Sequence, residues 1–190
     1  KYYEKYFSKI RKKDINLLEI GSYSGASAAS FVKYFPNANV FCLDINISNF
    51  KFFSKKISVF GIDISNNRMV SNFYKRINIS DKDNFFDIII DDGSHKLSDI
   101  LFSLNNFYKN LKKGGLYIIE DFKFPNYFEH LNDVDELKIN ELIEKIRSKK
   151  DFNSKIINHK LREYFKKENN VINSHKGNLS HSDIVFFQKI

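Results

Sequence analysis

The run Asn16-Leu17-Leu18-Glu19-Ile20-Gly21-Ser22-Tyr23-Ser24-Gly25 passes from a short, nearly continuous apolar segment into two glycines and small polar residues. An apolar run of this length without alternation is the pattern of a strand buried on both faces of a parallel sheet. Gly21 and Gly25 end it with permissive residues, and residues 26–35 resume at helical spacing. Strand, tight loop and helix therefore follow in direct succession.

The unit repeats along the chain. Pro36-Asn37-Ala38-Asn39 breaks the helix, and Val40-Phe41-Cys42-Leu43-Asp44 forms the next strand, closing on a carboxylate. A short helix is expected over 50–56, a third strand over 57–63 and a helix over 66–77. Phe86-Asp87-Ile88-Ile89-Ile90-Asp91 is the fourth strand, followed by the loop Asp92-Gly93-Ser94-His95 and an amphipathic helix over 96–111. Lys112-Lys113-Gly114-Gly115 stops that helix, and a fifth strand runs over 116–120. Two closing strands are expected over 170–173 and 183–188. In residues 1–13, Tyr3, Phe7 and Ile10 share one helical face.

Alternation of this kind predicts an α/β fold, a mostly parallel sheet with helices on both faces, within a single domain over 1–190. In such sheets ligands bind beyond the C-terminal ends of the strands. Gly21, Asp44, Asp63, Asp92 and Glu120 all fall there. Residues 127–170 are strongly charged, with Leu131, Val134, Leu137, Leu142, Ile146 and Ile156 at roughly helical intervals. That segment is expected as a helical lid over the site, an interface to a second subunit in a homodimer, or a cover for the sheet.

Composition narrows the classes. No apolar run is long enough to span a bilayer, and the first ten residues lack the order of a secretory signal. Cys42 is the only cysteine, which excludes an intrachain disulfide and a cysteine zinc cluster and fits a reducing compartment; cytoplasm is the expectation. The 31 Lys and Arg against 23 Asp and Glu give a formal charge of +8, which could steer an anionic partner. The excess lies in scattered Lys-Lys pairs without a nucleic-acid-binding motif, so no nucleic acid partner is expected.

Each strand end offers a chemistry. Gly21 and Gly25 let a ligand approach the backbone, although a plain tight turn explains two glycines as well. The closely spaced triple-glycine dinucleotide fingerprint is missing, which weighs against classical NAD binding. Asp44 is placed to accept both hydroxyl hydrogens of a ribose, and Asp63 to orient an adenine amino group; the competing reading makes each a helix cap. Asp92, Glu120 and Asp121 come from two neighbouring strand ends and suit a hard divalent cation such as magnesium. His95, with a reference pKa of about 6.5, is a general base for an acceptor hydroxyl. The competing reading makes Asp91 and Asp92 helix-starting acids and His95 a surface histidine.

The segment Leu17 to Asp44 resembles the first cofactor-binding unit of class I S-adenosylmethionine-dependent methyltransferases. Asp87-Ile88-Ile89-Ile90-Asp91-Asp92-Gly93-Ser94-His95, with Lys113-Gly114-Gly115-Leu116-Tyr117-Ile118-Ile119-Glu120-Asp121, resembles the macrocin and mycinamicin sugar O-methyltransferase group. The resemblance covers most of the chain up to about Phe122. It implies a Rossmann-like, mostly parallel seven-stranded sheet with an antiparallel C-terminal strand. It also implies S-adenosylmethionine held by Glu19, Gly21, Ser22, Tyr23, Gly25, Asp44, Ile45, Asp63, Ile64 and Asp91. Asp92, Glu120 and Asp121 would hold Mg2+ or another divalent cation, with His95 and Asp92 catalytic. Gly61-Ile62-Asp63-Ile64-Ser65 departs from the Gly-Asp-Gln-Ser that relatives often carry on the adenine side.

The resemblance further implies a bacterial, cytoplasmic enzyme methylating a hydroxyl of a sugar or sugar-containing metabolite, in polysaccharide or natural-product biosynthesis. Two other readings remain open: transfer to another small polar acceptor, such as an amine or a phosphorylated or phosphoramidate compound, and a non-enzymatic nucleotide-binding assembly protein. The second would need neither the three acids nor His95.

Overall fold

The computed structural model describes residues 2–80, 84–122, 131–168, 170–175 and 183–190. Seven strands form one sheet: β1 (Ile15–Ile20), β2 (Ala38–Asp44), β3 (Ile57–Gly61), β4 (Phe86–Asp91), β5 (Leu111–Glu120), β6 (Val171–His175) and β7 (Ile184–Gln188). Their order is β3-β2-β1-β4-β5-β7-β6. The first five pair in parallel, and β7 runs antiparallel to both β5 and β6. The chain reverses direction across the sheet between β1 and β4, which opens a crevice at that switch point.

Side-chain alternation splits the apolar residues into two cores. Leu18, Ile20, Ile89, Tyr117 and Ile119 face one way, against α3 (Asn67–Arg76) and α4 (Leu97–Phe107). Leu17, Val40, Ile88, Ile90 and Phe186 face the other, against α1 (Glu4–Phe7) and α2 (Ala26–Tyr34). The continuous apolar runs of β1 and β4 exist because both faces are covered.

α5 (Ile139–Arg147) and α6 (His159–Lys167) complete the first layer. Ile139, Leu142, Ile143, Ile146, Leu161 and Phe165 are buried in that core. Within the charged segment, residues 131–168 pack these apolar side chains onto one sheet face; 127–130 and 169 lie outside the described residues. Among the described residues no helix is long and apolar enough to cross a membrane.

Three sequence expectations need correction. Residues 50–56 are not a helix. A 3-10 turn at Ile47–Asn49, capped by the Asn46 side chain, replaces it, and the Lys51 N–H donates to Ser24. The Phe50 ring packs so closely on Gly25 that a Cβ there would lie 2.5 Å from it, which holds this stretch extended. β3 stops at Gly61, two residues before Asp63. β5 begins at Leu111 rather than at Leu116, with Gly114 at φ 80 absorbing the irregularity.

Candidate active site

A cleft of about 340 Å³ opens at the C-terminal ends of β1, β2 and β4, within the range of small-molecule sites, roughly 300–1,000 Å³. Gly21, Tyr23, Asp44, Ile45, Asp63 and Ile64 line it, together with Asp92. Glu19, Ser22, Gly25 and Asp91 do not line it. Glu19 and Ser22 are buried behind the loop, and Gly25 faces Phe50. Ser94 and Asp99 line the cleft without having been singled out from the sequence. The Ser94 hydroxyl donates to Asp99; an acid in the first turn of α4 reads from sequence only as a partner for the helix dipole.

Asp44 holds the cleft together. Its Oδ2 accepts from the Tyr23 N–H at 2.7 Å and its Oδ1 from the Asn46 N–H at 2.9 Å, so one carboxylate ties the first loop to the end of β2. Asn46 and Asn66, not the acids, supply the caps of the following turn and of α3. Asp63 instead accepts from the Ser65 backbone N–H and hydroxyl. The helix-cap reading of these two acids therefore fails, and both remain at the rim of the cleft.

Beside the cleft the strand ends gather acids. β4 and β5 pair Asp91 with Ile119, so the next residues, Asp92 and Glu120, leave adjacent strands side by side. One ligating atom each from Asp92, His95 and Asp121 lie within 4.8 Å of one another. The Glu120 carboxylate turns to the hydroxyl of Tyr3, which donates to its Oε1. His95 Nε2 is 4.0 Å from Asp92 Oδ1, beyond a hydrogen bond. α4 starts at Leu97 with no side-chain cap of its own, and Asp133 takes the Ser98 N–H at 3.0 Å; Asp91 and Asp92 do not start that helix.

The cluster is electrostatically loaded. Burial, then the Asp121 and Glu19 charges, push Asp92 up to about 7. Its side chain is 43% exposed, so solvent screens part of this rise. Burial likewise pushes Glu120 up to about 7; the Tyr3 hydrogen bond opposes the rise, and the Asp92 and Asp121 charges add to it. Glu19 is also raised, by burial, against hydrogen bonds from Ser27, Ser22 and Cys42. Gathered acids with raised affinities for protons are a site that a cation would compensate.

The backbone bears strain at the same place. Tyr23 (φ 40), His95 (φ 60) and Asp121 (φ 53) adopt the left-handed conformation without being glycine, at about 1–3 kcal/mol each. His95 and Asp121 are two of the three ligand-capable residues.

Asp91 is a separate case. It is 3% exposed and its Oδ2 has no hydrogen-bond partner. Burial pushes it up to about 7, against hydrogen bonds from Ser103 and the Gly93 N–H, with Asp92 and Asp99 adding to the rise. Between the unfolded value near 3.9 and about 7 the native state therefore binds the extra proton, and stability falls as pH rises through that window. Asp91→Asn removes this ionisation. At pH 8 thermal melting should rise by roughly 2–8 °C, for about 1–2 kcal/mol, and at pH 4 the two proteins should melt together. Equal melting at pH 8 would show that Asp91 carries no such burden.

A seven-stranded sheet in this order, with only β7 reversed and a cleft at the parallel strand ends, is the Rossmann-like fold of class I methyltransferases. The MycE methyltransferase of the mycinamycin biosynthetic pathway, solved with Mg, SAH and mycinamycin VI, has that fold at a TM-score of 0.71 and 21% identity. The match covers 99% of this chain and 47% of that one. No family model matches. L-olivosyl-oleandolide 3-O-methyltransferase of Streptomyces antibioticus is 31% identical over 134 residues, 67% of this chain and 33% of that protein. Mycinamicin VI 2''-O-methyltransferase of Micromonospora griseorubida is 27% identical over 127 residues, 63% and 30%. The match spans about a third of the length of these curated relatives. At family level the chain matches the sugar O-methyltransferases of the macrocin, mycinamicin and tetracenomycin group.

Proposed function

We propose that this chain transfers a methyl group from S-adenosylmethionine to a hydroxyl of a sugar-containing metabolite, with a divalent cation among the strand-end acids. The observation that carries the reading is the acid cluster with His95 set against a cleft that Asp44 closes. Relatives named as O-methyltransferases of sugar-bearing compounds support the acceptor class.

Each Asp44 oxygen already accepts one backbone N–H, which fixes the carboxylate while leaving lone pairs for ribose hydroxyls. Ile45 and Ile64 offer apolar surface for an adenine ring. The donors fit a small divalent cation: two carboxylates, Asp92 and Asp121, draw together with the His95 imidazole, Glu120 stands beside them on the Tyr3 hydroxyl, and the acids repel one another until compensated. Asp92, Glu120 and Asp121 would hold it, and when bound it supplies the charge that balances these acids and acidifies an acceptor hydroxyl. His95 takes the hydroxyl proton; the acceptor oxygen bonds to the methyl carbon as the carbon–sulfur bond breaks. The net charge of +8 suits an acceptor that carries negative charge.

Calorimetry with S-adenosylmethionine and its demethylated product, then mass detection of a methylated acceptor over a panel of glycosylated compounds, tests the reading. Asp44→Ala is expected to weaken cofactor binding by about tenfold or more, the loss of charge-assisted hydrogen bonds. Chelation should abolish most transfer, and cation affinity should rise with pH through about 7 as the acids deprotonate. Full activity after verified cation removal sinks the metal component; tight cofactor binding with no transfer to any acceptor favours an assembly protein.

A further inference from the structure

Tyr3 enters the sequence reading only as an apolar residue of the first helix, and the proposed chemistry does not use it. Its ring stacks on Phe7 at 4.7 Å and meets Phe186 edge-on at 6.0 Å. α1 is thereby packed on the sheet face that also carries Ile118 and Leu17, and by strand alternation Glu120 and Glu19. From there the Tyr3 hydroxyl donates to Glu120 Oε1, across 117 residues of chain.

Asp92 and Glu120 leave adjacent strand ends and Asp121 follows directly, so like charges crowd together, and a Glu120 side chain with free χ angles would swing away from the other two. A fixed donor on one oxygen restricts that swing and leaves the other oxygen with both its lone pairs. Carboxylates that ligate metals are commonly held in this way by an outer partner. We infer that Tyr3 is a positioning residue whose hydroxyl orients Glu120 to complete, with Asp92 and Asp121, an oxygen-lined cation site. The inference rests on the cation reading of the proposed function.

Titration calorimetry of the purified chain with Mg2+, with binding of the demethylated cofactor product measured in parallel, tests it. Tyr3→Phe keeps the ring and its packing, and is expected to weaken Mg2+ binding by about 10–100-fold with cofactor-product affinity unchanged. Tyr6→Phe, which removes a hydroxyl from α1 three residues further on, should match the wild type. In a Glu120→Gln background, Tyr3→Phe should add no further loss. Mg2+ affinity in Tyr3→Phe equal to or tighter than wild type overturns the positioning role alone. So does a loss that persists undiminished in the Glu120→Gln background. A wild-type protein that binds no Mg2+ overturns the cation reading itself, and this role with it.

Discussion

His95→Ala is expected to lower methyl-transfer turnover by about 10²–10⁴-fold, the usual worth of a positioned general base, with cofactor affinity changed by less than about twofold. The imidazole stands on a left-handed backbone at φ 60, with a ring nitrogen within 4.8 Å of a carboxylate oxygen of Asp121 and of the cleft-lining Asp92. Because its Nε2 is 4.0 Å from Asp92 Oδ1, it is not committed to that carboxylate and can take a proton from an incoming hydroxyl. The same proximity gives His95 a rival role as a cation ligand, and the two roles separate by measurement. As a base, its removal leaves Mg2+ affinity near wild type while turnover falls. As a ligand, its removal weakens the cation by one or more orders of magnitude, and the preferred metal shifts away from nitrogen-binding ions. Turnover within a few-fold of wild type would remove His95 from the chemistry altogether.

The strand framework was legible because burial on both faces leaves an unmistakable run. Phe86–Asp91 reads as a strand from its composition and is one with those bounds. The position of Asp92 beside Glu120 follows from the same reading, since neighbouring parallel strands deliver their next residues together. What the sequence did not carry is how side chains turn once there. Glu120 faces Tyr3, a partner 117 residues away at the N-cap of α1, and no spacing rule links the two. Asp91 and Asp92 are adjacent letters, yet one carboxyl is buried against Ser103 while the other lines the cleft; strand alternation predicts that divergence, but not which of the two meets a ligand. The helix expected over 50–56 failed for a tertiary reason, the seating of Phe50 on Gly25, which local propensity does not contain.

Gly21→Ala is expected to destabilise the protein by on the order of 3–5 kcal/mol, enough to leave a domain of ordinary stability marginal. Two costs combine. Gly21 sits at φ 86, a conformation that costs an L-residue about 1–2 kcal/mol. A Cβ there would also lie 2.1 Å from the Asp92 carbonyl oxygen and 2.5 Å from Gly93 Cα, so the loop after β4 must retreat. Gly114→Ala isolates the first cost, because Gly114 has φ 80 and a Cβ added there would meet nothing within 4 Å; its expected penalty is about 1–2 kcal/mol. Chemical denaturation of both variants measures the difference, and a Gly21→Ala no worse than Gly114→Ala would show that the two loops have room to part. The contact matters beyond stability. The Gly21 N–H donates to Leu43 at 2.8 Å and the Asp92 N–H to Ile20 at 3.0 Å, so the glycine loop after β1, the strand bearing Asp44 and the acid-bearing loop are stitched at one point. A side chain at Gly21 displaces Asp92 from the cleft as well as narrowing it. Cofactor binding and cation binding should therefore weaken together in any Gly21→Ala protein that still folds, whereas Asp44→Ala should weaken the first alone.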